Sequence, residues 1–321
     1  MALPEILESE AGPEPGVPDQ AVPEARRVKA PRPPARPRPS RRPRPERTPV
    51  RRPAVLVAGL VLSGFALLVL GFFVYLYGLS GLSEQRAQSV LYKTFAGELG
   101  QATAPTGATA DGAPVAILAI PSLGISDLVV VEGTGSGDLT HGPGHLRSSV
   151  LPGQAGVSVV YGRVLTYGDP FAHLMRLQRG DKITVTTGQG TSTYTVESFG
   201  TNAVPPPDPT PNRLVLETAD SAIFPSRNST VEVSADLSSA AQPTPPSRPA
   251  TAPREYALAG DADAVVPAVF WAQALVLVLL GGVFAARRWS RWPALLCAAP
   301  AAFALAWAVY ENLSLLLPNL Y

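Results

Sequence analysis

Three apolar runs, at residues 54–77, 265–286 and 293–317, decide how this chain can be built. The first carries no ionisable side chain except tyrosines near its end. As a helix rising about 1.5 Å per residue it reaches about 36 Å, enough to cross a bilayer core of about 30 Å with some tilt. A cleaved leader is shorter and ends in a small-residue cleavage site, and none clearly follows this run. Tyr75 and Tyr77 sit where an aromatic belt forms. We therefore expect membrane spans at residues 54–79, 265–286 and 293–317.

Charge orients these spans. The formal net charge of +1 conceals an asymmetry: residues 1–25 contain acids and no Lys or Arg, whereas residues 26–52 are dense in arginine and proline. The segment 1–53, with Arg-Pro pairs such as Arg32-Pro33, has almost no large apolar residue, so it reads as disordered with polyproline II character. It reads either as an electrostatic tether to anionic lipid or as a solvated tail that only fixes orientation. The loop 287–292, between the second and third spans, holds three arginines and two tryptophans. By the positive-inside rule, the tail and this loop share the cytoplasmic side, which places the central region outside. Glu311, near the end of the third span, reads as a hydrated helix end in preference to a buried functional acid.

The lone cysteine, Cys297, falls within the third span, so the exported part has no disulfide and no thiolate. With three histidines and no CxxC, HExxH or phosphate-loop motif, metal, nucleotide and nucleic-acid readings have no support, and no cofactor is expected.

Residues 83–101 mix Leu, Val, Tyr and Phe at helical spacing with charged residues and predict a helical stalk, followed by a Gly, Ala, Thr and Pro linker to residue 114. Short β-type runs follow at 115–120, 128–133, 158–162, 182–187, 192–198, 213–218 and 230–234, with a Gly-Gln-Gly hairpin turn after Thr187 and one helical insert at 170–177. The expected fold is mainly β: a closed barrel of seven or eight strands over residues 115–237. Residues 238–264 read as a Pro, Ser, Thr and Ala tether to the second span.

Local words over 115–237 resemble those of the sortase family, especially sortases of the actinobacterial, class E type. Ile120-Pro121-Ser122-Leu123-Gly124-Ile125 matches the family's first strand, and Val131-Glu132-Gly133-Thr134 stands at its next short segment. Gly142-Pro143-Gly144-His145, then Leu151-Pro152-Gly153-Gln154-Ala155-Gly156, follow in the family's order. The stretch from Tyr161-Gly162-Arg163 to Thr166-Tyr167-Gly168-Asp169-Pro170-Phe171 fits the family word GHR-x-T-(Y/H)-G-x-PF at equal length. Leu177 to Val185, with Gly180-Asp181, matches a further one.

The resemblance implies a peptide-ligating site of cysteine, histidine and arginine. In this chain the histidine slot is Arg163, the cysteine slot is Ala219, and the arginine slot falls at Ser229, with Arg227 nearby. An alanine methyl cannot form a thioacyl intermediate, and a guanidinium cannot accept a proton near neutral pH. Thr218 and Ser221 are nearby hydroxyls, but His141, His145 and His173 do not fall at the family's base position; His145 reads as a loop-fixing residue. The retained groove is expected to comprise Tyr161, Arg163, Thr218, Ala219, Asp220 and Arg227, with Arg163 and Asp220 a candidate ion pair. The proline-rich run 204–211 reads as a groove wall or a stiff connection.

The expectation is a membrane-anchored, catalytically inactive sortase-like protein that holds a surface protein or sorting-signal peptide, with membrane lipid as its other partner. The alternatives are a transpeptidase with an unusual nucleophile and a structural subunit of a membrane assembly.

Overall fold

A computed structural model describes residues 53–201, 211–220 and 229–321. The arginine-rich tail, residues 204–210 of the proline-rich run, Ser221 and Arg227 lie outside the described residues.

The chain enters as α1 (Pro53–Val74), passes through a π-helical turn at Tyr75–Leu79 and continues as α2 (Ser80–Gly100). No break separates span from stalk, because no proline interrupts the sequence between them, and Gly78 lies within the π turn. α2 lies against the barrel instead of standing clear of it: the Gln88 amide donates to the carbonyls of Val129 (3.0 Å) and His141 (2.7 Å), and its oxygen accepts from the Val129 N–H at 2.8 Å.

Eight strands form the barrel: β1 (Pro114–Ile120), β2 (Ile125–Glu132), β3 (Gly144–His145), β4 (Val157–Tyr161), β5 (Lys182–Thr187), β6 (Gly190–Thr201), β7 (Arg213–Ala219) and β8 (Thr230–Leu237). Their order around the closed sheet is β1-β2-β3-β4-β7-β8-β6-β5, with β2–β3 and β4–β7 parallel. Alternation drives closure. Ile183 and Val185 of β5, Tyr194 and Val196 of β6, Leu214 and Leu216 of β7, and Val233 and Ala235 of β8 all point into one buried core, while the intervening residues face out. β5 and β6 meet through a two-residue loop, since Thr187 pairs with Gly190. β3 approaches its neighbour so closely that a side chain on Gly144 would collide with the Gly133 carbonyl.

One expected element is corrected. The insert at 170–177 contains only a single 3-10 turn, Leu174–Arg176. Phe171, Leu174 and Leu177 recur every three residues and all enter the core, a spacing suited to 3-10 geometry and too short to propagate an α-helix.

After β8 the chain does not swing free. Gln242 pairs with Gln154, Thr244 donates to the Ala155 carbonyl (2.8 Å), and Arg147 contacts Asp111 and, at 3.4 Å, Glu255, which is buried. Two long helices follow, α3 (Val265–Arg288) and α4 (Arg291–Leu315), so the loop between them shrinks to Trp289 and Ser290. They pack closely where Gly282 faces Ala298. The helix containing α1, together with α3 and α4, gives three helices long and apolar enough to cross a membrane.

The barrel sits at one end of these helices through Tyr167. Its hydroxyl bonds to Tyr75 (3.2 Å) and Ser314 (2.7 Å), and its N–H donates to the Ser80 hydroxyl at 3.0 Å. Tyr167 adopts φ +50°, a left-handed conformation costly for a bulky side chain, which these three contacts hold in place.

Candidate functional site

The candidate cleft lies on the outer face of the parallel pair β4–β7. Because Leu214 and Leu216 point inward, Val215, Glu217 and Ala219 face outward, alongside Val159 and Tyr161 of β4 in register. Thr218 turns the other way, and its hydroxyl donates to the Gly162 carbonyl at 2.8 Å. It closes the strand end instead of lining the cleft.

Ala219 is fully buried. It belongs to a small apolar cluster with Leu139, Tyr161, Val164, Leu320 and Tyr321, flanked by partly buried Val159, Leu165, Ala257 and Leu258. The last turn beyond α4 therefore covers the strand end where the sequence words place a nucleophile. Sequence reasoning missed Leu320 and Tyr321, because a short segment after a span carries no periodic signal.

Arg163 is among the largest fully buried side chains. Its Nε donates to the Leu139 carbonyl (3.1 Å), Nη2 to the Ser136 carbonyl (2.9 Å), and Nη1 to Thr166 Oγ1 (3.2 Å) and the main-chain oxygen of Tyr321 (2.8 Å). The guanidinium also lies over the Tyr167 ring, 4.9 Å from its centroid. Burial draws its pKa down to about 10, so it stays cationic at neutral pH. The candidate pair with Asp220 does not form. Asp220 is exposed and joins Ser229, through its own N–H to the Ser229 carbonyl at 3.0 Å and through the Ser229 hydroxyl at 3.4 Å. The arginine finds its acceptors among nearby carbonyls, which are already fixed by the turn after Gly135 and by the segment beyond α4.

Beside Ala219, the outward Glu217 is buried, in register with Tyr161 of β4 and opposite Glu232 of β8. Burial, reinforced by Glu232 directly across the β7–β8 pair, lifts its carboxyl to about 7. Burial and this carboxylate push the Tyr161 hydroxyl upward too.

A second constellation has the outline of a nucleophile relay. Ser149 Oγ lies 3.0 Å from His145 Nε2, and His145 Nδ1 lies 2.9 Å from Glu132. Its bonds are already committed: Nε2 also faces the Val150 carbonyl at 2.8 Å, and the Ser149 hydroxyl donates to the Leu146 carbonyl while accepting from the Val159 N–H. Fully buried His145 and Glu132 thus pin the 146–150 turn.

Residues 118–223 match the family model of the sortase domain. Sortase E from Streptomyces avermitilis shares 30% identity over 41% of this chain and 91% of its own, with a TM-score of 0.35. Sortase E1 from Streptomyces coelicolor, solved with a tripeptide in the active site, shares 22% over 41% of this chain and 92% of its own (TM-score 0.36). A sortase D5 transpeptidase from Clostridium perfringens shares 17% over 48% and 99% (TM-score 0.41). No curated protein matches. The chain belongs to the sortase family, as a sortase domain joined to three helices of membrane-spanning length.

Proposed function

We propose that this protein is a membrane-anchored sortase relative that does not ligate peptides and acts as a binding or scaffolding module for a surface partner. One observation carries the reading: the β7 strand end bears Ala219, sealed beneath Leu320 and Tyr321, while the chain's one cysteine, Cys297, lies in α4 outside the matched domain. Arg163 supports it, since a buried cation with its donors engaged cannot accept a proton. The degenerate set Arg163, Ala219 and Ser229 leaves thioester chemistry without a nucleophile or a base.

The orientation follows from charge. Arg287, Arg288 and Arg291 cluster at the turn between α3 and α4, at the far end from the barrel, and the arginine-rich tail precedes α1. The positive-inside rule places both in the cytoplasm, against anionic lipid, and the barrel outside.

The test is transpeptidation. Full-length protein in detergent or nanodiscs, given a sorting-signal peptide and an amine acceptor, gives no thioester and no ligated product by mass spectrometry. Turnover abolished by Ser221→Ala would establish an unusual nucleophile and sink the reading. A second reading, a subunit of a membrane assembly, is favoured by α1: residues 54–70 are exposed, although the Leu68 carbonyl accepts from the Tyr310 hydroxyl of α4 at 3.0 Å. Co-purification of other membrane proteins through α1, with no ligand for the barrel, would favour it.

A further inference from the structure

The segment that leaves α4 enters the cleft as a tight turn, in which the Tyr321 N–H donates to the Pro318 carbonyl at 3.1 Å. The Val164 N–H donates to the Leu320 carbonyl (3.0 Å), and the Asn319 N–H donates to the Ala259 carbonyl (2.9 Å). The Asn319 amide donates to the carbonyls of Thr134 (2.7 Å) and Tyr256 (3.1 Å), and Ser136 Oγ donates to the Leu317 carbonyl at 3.4 Å. The main-chain oxygen of Tyr321 receives both Arg163 and Thr166. Asn319 and Leu320 are completely buried.

Main-chain bonds, with selected side chains sunk into pockets, are how proteins hold peptide segments. We propose that residues 317–321 are a resident ligand of the cleft, and that the cleft accepts a partner's turn-forming segment of the same chemistry only by displacing them. That chemistry is specified by the contacts: a carboxamide side chain read by two carbonyls, then a large apolar residue against Ala219 and Leu139, then a main-chain oxygen on Arg163 and Thr166. Arg163 is thus the anchor that recognises the occupant's backbone.

The resident segment is tied to α4, because the helix ends at Leu315 and Leu317 is already bonded to the barrel. A short tether holds a ligand at an effective concentration of about millimolar. An outside segment therefore binds with its affinity reduced by the fraction of time the cleft is vacant. Cleft occupancy and the position of the α4 end are one equilibrium, so a membrane partner that shifts α4 opens the cleft. The inference is independent of catalytic inactivity: a ligating enzyme held shut by this segment would show turnover in the assay above and the same occupancy here.

Two measurements on the full chain test it. In a Cys297→Ala background, the thiol of Ala219→Cys is expected to react with maleimide slowly in native protein and promptly once Leu320→Asp is added. Prompt labelling without Leu320→Asp, in a protein that still melts cooperatively, would overturn the proposal. Separately, a fluorescent synthetic peptide of residues 316–321 should bind Leu320→Asp, in which the segment is expelled, at least tenfold more tightly than wild type. Equal affinity for the two proteins, or no binding to a folded Leu320→Asp variant, would each overturn it. Amide exchange at Val164 reports expulsion directly and shows whether that variant remains folded.

Discussion

Arg163 Nη1 and the main-chain oxygen of Tyr321 meet at 2.8 Å across 158 residues of sequence, joining the loop after β4 to the segment beyond the last helix. Arg163→Ala leaves the carbonyls of Ser136, Leu139 and Tyr321 without this donor and opens a void. The expected loss is about 3 kcal/mol, a fall in melting temperature of roughly 6–12 °C by thermal unfolding. Arg163→His is expected to lose a comparable amount, because an imidazole has too few donors for the same acceptors. A change within error for both would show that Arg163 is not an anchor.

Glu217 makes stability depend on pH. Its carboxyl titrates at about 7 in the folded protein, above the ordinary 4.5, through burial first and then the neighbouring Glu232. The raised pKa means the fold favours the protonated acid, so this stabilisation is fully present below about 4.5 and disappears as pH rises through 7. The contribution is on the order of 3 kcal/mol. Melting curves from pH 4.5 to 8 should fall for wild type and fall less steeply for Glu217→Gln, in which Asp138, raised by burial to about 6, still titrates.

The His145–Glu132 pair is structural, and both side chains are inaccessible. Glu132→Ala strands a buried imidazole and should cost about 3–5 kcal/mol. Ser149→Ala should leave any ligand binding at the cleft unchanged. A loss of binding in Ser149→Ala without a loss of stability would reopen the relay as a working site.

Reinstating the family's cysteine and arginine is not sufficient. The double variant Ala219→Cys, Ser229→Arg, which keeps the Arg163 anchor, should show no ligation while residues 317–321 stay in place, and the new thiol should react with maleimide far more slowly than in denatured protein. Prompt labelling and turnover would mean that the cleft stands open.

Much of this architecture is legible in the sequence, for identifiable reasons. Runs such as Lys182–Thr187 alternate threonine with Ile and Val, so one face declares itself core. Ala219 and Arg163 stand out because the words around them fix the register. The two residues of β3 are too few for any pattern to emerge. The insert after Asp169 reads as helix because Phe171, Leu174 and Leu177 are apolar, but their spacing of three residues suits a single 3-10 turn. The tether 238–264 and the cleft segment 317–321 have neither periodicity nor motif. Their places come from contacts with loops far away in sequence, such as Thr134 to the Glu255 carbonyl at 2.6 Å, which no local pattern encodes.

The helix that begins at Pro53 continues to Gly100 and braces the barrel along β1 and β2, while the chain returning to α3 is pinned to the loop after β2 and to Gln154. Held at both ends, the domain has no slack in its attachment to the helices. On the proposed function its working radius would be the lipid surface itself, and any visitor would have to be delivered to that height.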